Sequence, residues 1–138
     1  MAVLLLRLEG PLQAWGDAPA LSWRPTGRWP TKSGVVGLLA NALGRGREES
    51  VEDIASLAYG VRVDRPGSLL LDFHTVEEVI PAQLAGAGRP ARRGELRSAI
   101  TRRAYLADAA FLAGLEGERA FLERLQGALK NPARPLYL

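Results

Sequence analysis

The first hydrophobic segment, Ala2 to Leu8, is a short aliphatic run closed by Glu9, Gly10 and Pro11, and it reads as a buried strand ending in a turn. Residues 11–32 hold four prolines and all three tryptophans, a composition that predicts a long ordered loop rather than a regular element. Helical spacing begins next. Thr31 or Ser33 supplies an N-cap, Val35, Val36, Leu38, Leu39, Ala42 and Leu43 form an apolar face, and Gly44 provides the stop. An acidic connector from Glu48 to Asp53 leads to a short helix ending near Leu57 and then to a strand from Tyr59 to Val63. Arg65-Pro66-Gly67 has the order of a type II turn, so Ser68 to Val76 is expected to return as the second strand of a hairpin.

Residues 77–100 are polar and rich in glycine, proline and arginine, and they read as an excursion that is disordered without a ligand. The segment Tyr105 to Gly117 satisfies two templates. Its alanines and leucines favour a helix on propensity, while its length and its glycines permit a buried strand. A clear helix follows from about Glu118 to Lys130, with Phe121, Leu122, Leu125, Ala128 and Leu129 at helical spacing and Asn131-Pro132 as terminator. Leu136 to Leu138 reads as the start of another strand. No internal repeat or linker divides the chain, and 138 residues suit a single domain.

Composition removes several classes of function. The absence of cysteine excludes disulfide frameworks, thiolate metal sites and cysteine nucleophiles, and a single histidine excludes multi-histidine metal sites. Neither a metal nor another cofactor is expected. The longest apolar run, Met1 to Leu6, is far shorter than the roughly 20 residues a membrane helix needs and lacks the basic start of a secretory signal. A soluble cytoplasmic protein without membrane contact is the expectation.

The net charge of +3 hides a strong segregation. From Arg24 to Arg47 there are five basic residues and no acid, and from Arg89 to Arg103 there are six arginines against Glu95 alone. Two acid-poor elements facing a polyanion would produce this distribution. Trp15, Trp23 and Trp29 are interleaved with Arg24, Arg28 and Lys32, and aromatic faces beside cations are what unpaired bases and their phosphates require. At least one of these tryptophans is expected to pin the loop to the core instead. The helix start at Lys32 and Ser33 adds backbone N–H groups suited to phosphate. A nucleotide-triphosphate loop is rejected, because Thr31 stands where its glycine must precede the lysine. His74, with Asp72 on the same face of a strand, is the one candidate for a general base near neutral pH.

Four segments, RLEGPLQAWG (Arg7 to Gly16), RPTGRWPTKSGVVGLLANALG (Arg24 to Gly44), DFHTV (Asp72 to Val76) and YLADAAFLAGLEG (Tyr105 to Gly117), occur in this order along the chain. Together they resemble the CasD family of subunits of Cascade, the type I-E CRISPR surveillance complex, within the RAMP superfamily. The resemblance implies an α+β, ferredoxin-like (RRM-type) βαββαβ domain covering residues 1–138. Tyr105 to Leu115 would then be the strand before the second helix, and residues 76–103 a protruding β-hairpin thumb. It further implies a non-catalytic subunit that binds the repeat-derived 5′ handle of CRISPR RNA, caps one end of the complex and contacts the CasC backbone and the large CasA subunit. On this reading RNA is held by Gln13, Trp15, Arg24, Arg28, Trp29, Lys32 and Ser33, and by the thumb residues Arg89, Arg92, Arg93, Arg97, Arg102 and Arg103. A related branch of the family cleaves repeat RNA, so a metal-independent endoribonuclease using His74 is the alternative. A protein-interaction adaptor whose basic surfaces meet acidic partner subunits is a third reading. The family continues past the position of Leu138 with a glycine- and arginine-containing segment, so the chain is expected to be a fragment or a shortened member.

Overall fold

The computed structural model describes residues 1–16, 22–80 and 93–136, with the side chain of Arg93 outside that description. Its strands are β1 (Ala2–Glu9), β2 (Leu12–Gln13), β3 (Trp23–Arg24), β4 (Ala58–Arg65), β5 (Ser68–Val79), β6 (Arg97–Ala107) and β7 (Ala110–Gly117). Its helices are α1 (Lys32–Ala42), α2 (Glu52–Ala55) and α3 (Arg119–Lys130).

The first long helix, α1, forms where its expected cap and stop place it. Thr31 is extended and its hydroxyl oxygen accepts from the Gly34 N–H at 3.2 Å, which satisfies one of the free donors of the first turn of α1. Past its end, Gly44 takes φ +79°, and the N–H groups of Gly44 and Arg45 turn back to the carbonyls of Asn41 and Ala40. The Glu118 carboxylate caps α3 by accepting from the Ala120 N–H.

A three-stranded antiparallel sheet in the order β1-β7-β4 carries the main core. One of its faces packs Leu4, Leu6, Ala113 and Leu115 against Val35 and Leu39 of α1, Ile54 of α2, and Leu122 and Leu125 of α3. Along β1 burial alternates, leaving Val3 57% and Leu5 60% exposed on the opposite face. The strand expected to be buried is thus buried on one side only, because all three helices lie on the same face of the sheet.

The second sheet is built on β6. On one edge it pairs antiparallel with β5, from Ser68↔Ala107 to Val79↔Arg97. On the other edge it takes β2 (Leu12↔Ala107) and β3 (Trp23↔Arg102). A smaller cluster of Leu106, Ala109 and Phe111 is joined to the main core through Leu8, Trp15 and Val61, which pack against both.

Several expectations are corrected here. The segments flanking Pro66-Gly67 do not pair as a hairpin: β4 joins β7 and β5 joins β6, so the turn passes the chain from one sheet to the other. Tyr105 to Gly117 is neither a helix nor one strand, because β6 ends at Ala107, Asp108 turns at φ +57°, and β7 starts at Ala110. The loop over 11–32 contains two short strands, β2 and β3. Residues 77–79 and 97–100 lie in strands rather than in a disordered excursion, while residues 81–92 lie outside the described residues. Leu136 is not in a strand, and 137–138 are also outside the description. The sequence of elements β1, α1, β4, β7, α3, with β7 between β1 and β4, is compatible with a ferredoxin-like fold.

Candidate nucleic-acid interface

The tryptophan-rich loop is fastened to the core by one chain of hydrogen bonds. Gln13 donates its amide to the carbonyls of Ala109 (2.9 Å) and Leu8 (3.3 Å), and its Oε1 accepts from the Trp15 indole N–H at 3.1 Å. The Trp15 backbone N–H donates to Thr26 Oγ1 at 2.8 Å, the Thr26 hydroxyl donates to the Gly27 carbonyl, and the Gly27 N–H returns to the Trp15 carbonyl at 2.7 Å. Trp15 also lies against the first turn of α1, where a Cβ at Gly34 would come within 3.0 Å of its ring. Three residues past Gly27, Pro30 is fully buried and its carbonyl accepts from the Tyr59 hydroxyl at 2.8 Å. Burial pushes the Tyr59 phenol above its usual pKa. Arg28 and Trp29 are therefore held between two anchors, and the Trp29 indole is 57% exposed.

The second sheet adds a row across three strands. Register places Trp23 of β3 beside Arg102 of β6 and Arg102 beside Phe73 of β5, so these three side chains share one face. All three are exposed, Trp23 by 43% and Phe73 by 58%. The same face continues through Leu71 and Ala104 to Leu69 and Leu106. Leu69 and Leu106 line a cleft of about 350 Å³ together with Thr26, Arg28, Trp29, Val63, Pro66 and Gly67.

The predicted residues do not converge on one surface. Arg28, Trp29 and Arg102 belong to the face just described. Arg24 and Arg103 are register partners on the opposite face, beside Asp72. Lys32 and Ser33 sit at the start of α1, half-buried and exposed respectively. The polar groups of Gln13 and Trp15 are engaged inside the anchor. Arg97 folds back on the Gly94 and Leu96 carbonyls at 3.1 Å. Arg93 begins a short 3-10 turn, and Arg89 and Arg92 lie outside the described residues.

Pairing separates the cations further. Arg7 and Arg65 share Glu9, Arg62 binds Asp64, and Arg45 grips Asp53 through two hydrogen bonds of 2.6 and 2.5 Å. The Arg45 fork holds the Asp53 carboxyl down at about 2, and hydrogen bonds from Arg65 and Arg7 lower Glu9. Arg24, Arg28, Lys32 and Arg102 make no ion pair among the described residues. Arg45, although part of the acid-poor stretch in the sequence, is thus committed to the fold.

On the opposite face, His74 Nδ1 lies 3.2 Å from Asp72 Oδ2 but is not aligned with it, and this buried nitrogen has no hydrogen-bond partner among the described residues. The cross-strand partner of His74 is Thr101, and Tyr105 stands four residues further along β6, about 13 Å away. Tyr105, the one tyrosine of β6, is therefore not beside the histidine. Among the described residues no group of three or more metal-ligating side chains occurs, and no helix is long and apolar enough to cross a membrane.

Leu69 and Phe73 are not among the binding residues expected from the sequence, where Trp23 enters only as one of the three clustered tryptophans. The register of β5 with β6 puts Leu69 and Phe73 on one face, while the consecutive leucines Leu69 to Leu71 hide that alternation in the sequence.

A family described as CRISPR-associated protein (Cas_Cas5) matches residues 3–138. The chain belongs to this family. Among its Cas5 relatives, the CRISPR system Cascade subunit CasD of Escherichia coli (strain K12) is 40% identical over 124 residues, covering 81% of this chain and 52% of that protein. A chain from a solved CRISPR RNA-guided surveillance complex superposes with a TM-score of 0.82 at 36% identity, covering 99% of this chain and 57% of that one. A crystal structure of a Cas protein matches with a TM-score of 0.71 at 49% identity, covering 99% of this chain and 56% of the other. The chain thus spans about half the length of the Cas5 relatives it matches. The endoribonuclease alternative gains no support from them.

Proposed function

We propose that this chain is the RNA-binding portion of a non-catalytic, cytoplasmic subunit of a CRISPR surveillance complex. It binds the repeat-derived 5′ handle of CRISPR RNA, caps one end of the assembly, and contacts subunits of the CasC and CasA kind. The observation that carries this reading is the face on which unpaired Arg28 and Arg102 stand among exposed Trp29, Trp23 and Phe73. Cations hold phosphates there while aromatic rings meet unpaired bases. Residues 76–103 serve as the thumb, its root the paired ends of β5 and β6, and Arg89, Arg92, Arg93 and Arg97 extend the grip on RNA. Arg24 and Arg103 hold the backbone from the other face of the ribbon, and Lys32 with Ser33 takes a phosphate at the helix start.

The test is binding of the purified chain to a handle-bearing RNA and to a scrambled RNA at two salt concentrations, with a gel to reveal cleavage. Preferential, salt-sensitive binding without cleavage is expected. Replacing Arg24, Arg28 and Lys32 together by alanine should lower the salt slope by about 0.7 for each phosphate that these side chains neutralise. An unchanged affinity and slope in that variant would overturn the assignment of these residues.

A further inference from the structure

We propose that the cleft beneath Trp29 receives one unstacked nucleobase. This deepens the RNA-binding reading and rests on it. The cleft measures about 350 Å³, and Trp29, Val63, Leu69, Leu106 and Pro66 supply apolar walls, while Arg28 is its one charged residue. Trp29 and Leu69 are more than half exposed, so nothing in the described fold covers these walls. The hydroxyl of Thr26, the other polar side chain in the lining, is already occupied by Trp15 and Gly27. What remains free is a flat aromatic surface, an aliphatic floor and a guanidinium. That combination suits a planar ring tethered to an anion, which is a nucleotide. A peptide segment would bring backbone donors and acceptors that these side chains leave unpaired, at a desolvation cost.

Rigidity strengthens the assignment. The Gly27 and Pro30 anchors fix the backbone on both sides of Trp29, so little conformational freedom is lost when a ring stacks on it. The exposed row of Phe73, Arg102 and Trp23 lies four residues along β5 from Leu69, about 13 Å away. A strand leaving the cleft along this face meets a second cation flanked by two more aromatic rings.

The experiment measures affinities of the wild-type chain, Trp29→Ala and Trp29→Phe for a synthetic repeat-handle RNA and for its series of single abasic substitutions. At one handle position, base removal should weaken wild-type binding by about tenfold, and Trp29→Ala should weaken binding of the intact RNA by a similar factor. The two losses should not add when combined, and Trp29→Phe should recover most of the affinity. The salt slope should be unchanged in Trp29→Ala, because stacking releases no counterions. Thermal melting confirms that each variant is folded. If Trp29→Ala binds every RNA as wild type does, or its loss adds equally to every abasic loss, the cleft holds no base while handle binding itself stands. Unchanged RNA affinity with impaired joining to the other subunits would make the cleft a protein seat and overturn the proposal. Absence of any wild-type binding to the handle would overturn the RNA-binding reading together with this one.

Discussion

Gln13 and Ala109 stand 96 positions apart in the chain, yet the Gln13 amide donates to the Ala109 carbonyl at 2.9 Å. The same side chain holds the Leu8 carbonyl and the Trp15 indole, so it ties the start of the tryptophan loop to the junction between the two sheets. Gln13→Leu would keep the volume and remove all three partners. A stability loss of about 1–3 kcal/mol is expected from the polar groups left unpaired, read as a lower urea midpoint at unchanged m value.

The two tryptophans flanking this loop should behave oppositely. Trp15 packs against both hydrophobic clusters, so Trp15→Ala should cost about 3 kcal/mol or more. Trp29 projects into solvent, and Trp29→Ala should alter stability by no more than about 0.5 kcal/mol. Parallel denaturation curves for the two variants decide this, and equal destabilisation would contradict the anchoring described for Trp15.

The Arg45–Asp53 pair predicts an acid limb. Asp53 has its folded pKa lowered from 3.8 to about 2 by Arg45, so the stability it contributes is fully present above pH 4. It is lost as pH falls through the folded value, because the unfolded state takes up the proton first. Urea midpoints between pH 5 and pH 2 should therefore fall less steeply in Asp53→Asn than in wild type (about pH 4 downwards), and parallel profiles would remove the pair as a cause.

Gly67 sits at φ +70° in the turn between β4 and β5, and a Cβ there would lie 2.5 Å from the Ala107 carbonyl oxygen. Both the left-handed conformation and the backbone contact oppose a side chain. Gly67→Ala should destabilise the fold by about 2 kcal/mol, measured as a drop in thermal midpoint.

Salt dependence distinguishes free from committed arginines. Arg102→Ala should reduce the slope of log affinity against log salt by about 0.7 for a handle RNA. Arg124, which stacks over Phe121 and approaches Asp53 on the helical side, should leave the slope unchanged when replaced by alanine. Equal effects of both changes would mean that the charge effect is diffuse rather than local.

The parts of this fold legible in the sequence are those fixed by local chemistry. Thr31, Gly44 and Glu118 mark helix ends through their own hydrogen bonds and backbone geometry, and the spacing of Leu122 and Leu125 marks the buried face of α3. What was not legible depends on partners far along the chain. β7 is the central strand, paired on both sides with β1 and β4, so Phe111, Ala113 and Leu115 are fully buried while Leu112 and Gly114 are half-buried between two neighbours. Neighbours on both sides, rather than the helical propensity of alanine and leucine, decide its conformation. Pro66-Gly67 likewise specified a reversal of direction but not which strands would pair. For the candidate interface, the acid-poor stretches contain Arg28 and Arg102, but charge along a sequence carries no information about faces. Only strand register separates Arg102 from Arg103, and only the fold shows that Arg45 is spent on Asp53.

The bend at Asp108, between Ala107 of β6 and Ala110 of β7, sets the phase between the core and the outer ribbon. Phe111, Ala113 and Leu115 must point inward, and the two-residue step behind them dictates that Arg102, Ala104 and Leu106 share the face lined by Trp29. Inserting or deleting a single residue at this step would leave the core sequence untouched yet exchange the ribbon's two faces, presenting Arg103 and Tyr105 in place of Arg102 and Leu106. Length changes at this joint are therefore tolerable only in pairs, whereas point substitutions can retune the outer surface freely.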